Sequence, residues 1–163
     1  MPPAGTSSSY HDASMRLENL SIEVRCDRRL GFVDVTDELR RAVKDSGITR
    51  GIAVAYCSHT TCALIINEWE DGVLEDLCNR IESLVPGNVY YAHDDLGRRT
   101  QNLQDVDEPK NGQAHVIQMI VGGASHVIPV EAGEPILGRW QRLFLLELDH
   151  PRERKIVFSV FGD

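Results

Sequence analysis

A chain of 163 residues, 42% hydrophobic and 26% charged, is long enough to bury one substantial core without staples. Its formal net charge of −8 speaks against nucleic acid as a partner, because phosphate binding needs clustered lysine and arginine and the sequence shows no such cluster. No window approaches the roughly 18 uninterrupted apolar residues of a membrane span, and no basic-then-apolar leader opens the chain, so the expected location is cytoplasmic.

Residues 1–14 lack periodicity, are rich in Pro, Gly and Ser, and read as a disordered tail that includes His11; residues 15–163 read as a single domain. Leu17, Leu20, Ile22 and Val24 predict a first strand, with Ile22, Val24 and Cys26 on one face. Thr36 is expected to cap a helix whose first turn carries Asp37 and Glu38, whose buried stripe is Leu39, Ala42 and Val43, and whose stop is Gly47. The apolar run 51–57 predicts a central strand, followed by a second over 60–66. Val73, Leu74, Leu77, Cys78, Ile81, Leu84 and Val85 recur at helical spacing and predict a helix over 70–85, with Glu70 and Asp71 as capping acids.

Residues 90–110 are polar and aperiodic, a long loop of the kind that carries function; they include His93, Asp94, Arg98, Arg99, Asp105, Asp107 and Glu108. A short helix is expected over 113–120, ended by Gly122-Gly123, and strands over 125–130, 140–148 and 155–161. Together these elements predict an α+β fold, a largely antiparallel sheet with two main helices and a short third packed on it.

The sharpest candidates for chemistry are His59, His93 and His115, which come from separate segments. Three imidazoles with a fourth position open form a catalytic site for zinc or a similar divalent metal, although this spacing fits three unrelated surface histidines as well. Asn67, Glu68 or Asp94 would then orient a ring or hold a bound water. Glu68, closing the second strand, is also a candidate general base or magnesium contact. Arg98, Arg99, Arg139, Arg142, Arg152 and Arg154 are available to clamp a phosphate, and Trp140-Gln141 offers an aromatic wall beside an amide. Cys57 and Cys62 flank His59 and, like Cys78, read first as reduced core thiols. His126 alternates with Ile128 and Val130 as a sheet histidine, and His150 precedes Pro151 in a turn.

Ser58-His59-Thr60-Thr61 followed by Ile66-Asn67-Glu68 resembles the signature of the YjbQ family. The likeness continues through Tyr91-x-His93-Asp94, Ala114-His115, Gly123-x-Ser125-x-x-Ile128-Pro129-Val130 and Leu137-Gly138-x-Trp140-Gln141. It ends with Glu147 and Pro151-Arg152-x-Arg154, spanning roughly 17–163 in order. The resemblance implies an α+β trimer with a histidine cluster near a subunit boundary, often holding a metal. It also implies a secondary thiamine-phosphate synthase activity, joining hydroxymethylpyrimidine diphosphate to a thiazole phosphate with release of pyrophosphate. On this chain His59, His93 and His115 match the family's histidines, and Thr60, Asn67, Glu68, Asp94, Trp140 and Gln141 its other signature positions. Cys62 stands where many members carry a small residue, which argues against a nucleophilic role.

The expectation is therefore a homotrimeric transferase with a divalent metal, acting on a small phosphorylated substrate. Three histidines suit zinc, whereas diphosphate departure ordinarily uses magnesium held by oxygen ligands. The alternatives are a zinc-dependent hydrolase of small esters or phosphoesters and a non-catalytic metal- or ligand-binding trimer.

Overall fold

The computed structural model describes residues 14–103 and 108–163; residues 1–13 of the expected tail and the acidic pair Asp105 and Asp107 lie outside the described residues. Among the described residues, eight strands and three helices follow one another as β1 Arg16–Arg25, β2 Phe32–Asp34, α1 Thr36–Ser46, β3 Arg50–Cys57, β4 Cys62–Glu68, α2 Asp71–Leu84, α3 Gly112–Val121, β5 Ser125–Glu131, β6 Glu134–Pro135, β7 Gln141–Glu147 and β8 Glu153–Gly162. A 3₁₀ turn, Ala92–Asp94, interrupts the long polar loop.

The α+β class and the antiparallel pairing are as expected, but the strands form two sheets rather than one. Their orders are β1-β8-β3-β5-β6 and β2-β7-β4, so spatial neighbours are mostly not neighbours in sequence. The reason is visible in β7, where Leu143 to Glu147 are all buried. Alternation fails there because both faces are covered. Leu143 and Leu145 join Cys62 and Leu64 in a core facing the five-stranded sheet, closed by α1. Leu146 joins Ala63, Ile81 and Ile117 in a second core under α2 and α3. The result is three layers: a large sheet, a small sheet and a helix pair.

Local chemistry explains the helix ends. Gly47 stops α1 in the left-handed region at φ 64°. Thr36 does not cap that helix; its hydroxyl accepts from Leu143 N at 2.9 Å, which ties α1 to β7. Glu70 does cap α2, accepting from Gly72 N and Val73 N at 2.9 Å. β4 begins two residues later than expected because residues 58–61 form a loop between the sheets. The short pieces β2 and β6 and the 3₁₀ turn carry too few residues to show a period.

Gly51 and Gly162 lie opposite each other where β3 meets β8. A Cβ on Gly51 would collide with the Phe161 carbonyl, and one on Gly162 with the Arg50 carbonyl. Rigid backbone cannot move aside as a side-chain tip can. Gly51→Ala should therefore lower stability by about 1–3 kcal/mol, the usual cost of overpacking. A urea titration with an unchanged midpoint would contradict this.

Candidate functional site

The central strands deliver two polar ends. β4 and β7 run antiparallel, with Cys62 opposite Glu147 at one end and Glu68 opposite Gln141 at the other. At strand rise, seven residues separate those ends by roughly 20 Å. The expected site residues divide between them.

At the first end, Glu147 is fully buried and Arg154 is 1% exposed. Arg154 Nε donates to Glu147 Oε2 at 2.7 Å, and its Nη2 reaches Glu147 Oε1 and the Thr61 hydroxyl. This bidentate pair joins β7 of one sheet to β8 of the other and holds the 58–61 loop. His59 in that loop accepts from Lys155 N at 3.1 Å. Burial, then the charges of Arg154 and Arg152, push its imidazole below the ordinary histidine range. Thr60 beside it is exposed.

Glu147 Oε1 also accepts from Asp149 N at 2.9 Å, setting the exit of β7. Asp149 in turn accepts from Asn111 Nδ2 at 2.9 Å and Arg152 Nη2 at 2.6 Å. Burial alone would raise the Asp149 carboxyl, but hydrogen bonds from Asn111 and His150 and the charge of Arg152 hold it below the usual carboxylate range. Among the described residues, two buried side-chain atoms have no hydrogen-bond partner, and both belong to this cluster: Asn111 Oδ1 and Arg152 Nε. Buried polar atoms are nearly always paired, so this is the least satisfied point of the described interior.

His93 and His115 meet beside this cluster with ring centroids 4.5 Å apart. Gly112 permits that approach, since its amide donates to Asp94 Oδ1 at 2.8 Å and a Cβ there would press on Tyr91 and His93. His115 is pushed down by burial first and by His93 second. His93, Arg98 and Arg99 line a polar cavity of about 440 Å³.

The expected three-histidine convergence does not occur within one chain. His93 and His115 come together, but His59 is engaged on β8, and among the described residues no three His, Cys, Asp or Glu side chains are grouped to hold an ion. The three-histidine set read from sequence is therefore not assembled among the described residues of one chain.

At the opposite end, Glu68, Trp69 and Trp140 border an open cavity of about 600 Å³ together with Asp34, Arg139 and Arg142. Trp140 is 61% exposed with the Arg139 guanidinium 4.7 Å over its ring, so it is a surface aromatic and not core. Gln141 closes a turn by accepting from Gly138 N at 2.7 Å, and Asn67 accepts from Glu68 N at 2.8 Å. His126, outside both ends, is satisfied by the Leu64 carbonyl at 2.9 Å.

Comparison with known proteins agrees with this architecture. The profile described as UPF0047 protein YjbQ-like matches residues 20–163. The chain belongs to the YjbQ-like UPF0047 family. A UPF0047 protein of Archaeoglobus fulgidus is 36% identical over 138 residues, covering 85% of this chain and 97% of the relative. The UPF0047 protein YugU of Bacillus subtilis is 33% identical over 143 residues, covering 87% and 98%. Among solved structures, a YbjQ-like protein of unknown function from Sulfolobus solfataricus superposes with a TM-score of 0.80 at 32% identity, covering 92% of this chain and all of that one. A hypothetical protein from Aeropyrum pernix gives 0.77 at 33% identity, covering 90% and 99%.

Sequence reading missed Asn111, Asp149 and Gly112 as site residues. Asn111 and Gly112 precede the expected short helix and Asp149 precedes the turn at His150-Pro151; only the fold shows that Asn111 and Asp149 touch.

The buried ion pair carries a direct test. Arg154→Leu leaves the Glu147 carboxylate buried and unpaired, and should cost about 3–5 kcal/mol. The double variant Glu147→Leu with Arg154→Leu should lose less than either single change. Equal urea midpoints for wild type and Arg154→Leu would contradict this assignment.

Proposed function

We propose that this YjbQ-like chain is an enzyme acting on a small phosphorylated substrate, of the thiamine-phosphate synthase kind. It would join hydroxymethylpyrimidine diphosphate to a thiazole phosphate and release pyrophosphate. The carrying observation is the pair Asn111 Oδ1 and Arg152 Nε, both without a protein partner, on the half-buried Asp149 carboxylate next to the His93–His115 pair. The resemblance to the YjbQ family implies an activity of the same kind.

The chain's residues have these roles in the proposal. Arg152 is anchored through Nη2 to Asp149, leaving its Nε–H to donate to a phosphoryl oxygen. Asn111 Oδ1 accepts from a hydroxyl or amine of the substrate. His93, Arg98 and Arg99 surround a polar cavity suited to the leaving diphosphate, where guanidinium and imidazole donors stabilise the developing charge. Asp94, fixed by the Gly112 amide, lies 3.4 Å from His93 Nδ1 and orients that ring. A divalent ion, zinc or magnesium, would supply further neutralisation of the diphosphate if an assembly provides the ligands that one chain does not group.

We propose a homotrimer as the working form. Leu17, Ile52, Tyr56, Val127 and Phe161 stand exposed on the outer face of the five-stranded sheet, an apolar surface that self-association would cover. Only an assembly could let the Glu68–Trp140 end and the histidine end serve one pocket.

The test is product formation from the two phosphorylated precursors, with chelator, zinc and magnesium in separate arms. Arg152→Met and His115→Ala should each cut turnover about 10- to 100-fold, the range for one charged hydrogen bond, while circular dichroism stays native. No condensation, or full turnover in both variants, would overturn the proposal. Hydrolysis of generic phosphoesters without condensation would favour the hydrolase instead.

A further inference from the structure

Cys57 closes β3 in the large sheet and Cys62 opens β4 in the small one. Their sulfurs lie 3.3 Å apart, and both residues are fully buried in the core between the sheets. Four residues separate them, and of these Ser58 and Thr60 are exposed. The pair thus sits in the core at the base of a loop whose Ser58 and Thr60 reach solvent. Arg154 passes the same spot, bonded to Thr61 and Glu147.

We infer that Cys57 and Cys62 are a redox-active dithiol, which peroxide-class oxidants convert to a disulfide that closes the loop bearing His59 and ties the two sheets together.

The two thiols share one contact of 3.3 Å in which either sulfur can donate, so either can supply the nucleophile and the other resolves it; with Cys57 reacting first, the steps are these. The Cys57 thiolate attacks one oxygen of hydrogen peroxide; the S–O bond forms, the O–O bond breaks, and hydroxide takes up the Cys57 proton and leaves as water. Cys62 sulfur then attacks the sulfenic sulfur; the S–S bond forms, the S–O bond breaks, and the second hydroxide leaves as water with the Cys62 proton. Two electrons pass from the sulfur pair to the peroxide. Closing the gap to a bond of about 2.0 Å is a short movement for two side chains already in contact.

The other cysteines serve as internal comparisons. Cys26 donates to the Arg28 carbonyl at 3.4 Å, and burial pushes the Cys78 thiol upward. Neither faces a second sulfur among the described residues.

The full-length folded protein is treated with hydrogen peroxide, denatured, alkylated and mapped by peptide mass spectrometry. The expected result is loss of two hydrogens in intact mass, two alkylated cysteines (Cys26 and Cys78) and a Cys57–Cys62 cross-link that dithiothreitol reverses. Cys62→Ser should abolish the cross-link and leave a dimedone-trappable sulfenic acid on Cys57. Alkylation of all four cysteines at peroxide doses that consume free cysteine would overturn the inference, as would first oxidation at Cys26 or Cys78. The readout is independent of catalysis, so its failure is separable from failure of the proposed activity.

Discussion

The rest of the molecule depends on one buried ion pair, Glu147 with Arg154. It sits where the interior of a two-sheet sandwich would otherwise open, and it holds the β7 end of one sheet against β8 of the other. An isolated charge in that position would be costly to bury, so each partner is present because the other is. The pair also directs what surrounds it. Arg154 holds Thr61 and thereby the His59 loop, and Glu147 takes the amide of Asp149 and turns the chain toward Asn111 and Arg152. A short run of hydrogen bonds thus leads from the core to the two orphan atoms.

The class of fold was legible in the sequence because long elements carry period. The α1 stripe, the α2 stripe and the strong strands 51–57, 125–130 and 140–148 all reappear close to where periodicity puts them. The split into two sheets was not legible. It rests on β7 being covered on both faces, and an unbroken apolar run reads the same whether its neighbours lie in one sheet or two. The order β1-β8-β3-β5-β6 joins the two ends of the chain, which local pattern does not encode.

The site divides along the same line. His59, His93 and His115 stood out as residue types, and His93 and His115 do meet, but their meeting is made by Gly112 packing against the 3₁₀ turn. Asn111 and Asp149 looked like ordinary turn residues, since nothing in either segment reports the contact between them. Glu68 was read as a partner of the histidines, and Trp140 as an aromatic wall. The antiparallel register of β4 and β7 instead puts them at the far end of the same strands. In this account the protein has a histidine–arginine end and an aromatic–carboxylate end, and a small sheet that spaces them.

The central claim is that the end built on Asp149 is the place where a phosphorylated ligand binds. The most direct measurement is a crystal structure of the full chain grown with inorganic diphosphate. The account predicts diphosphate density within hydrogen-bond distance of Arg152 Nε, next to Asn111 and the His93–His115 pair. Diphosphate ordered only at the Trp140–Glu68 end, with Arg152 Nε still unpartnered, would contradict it.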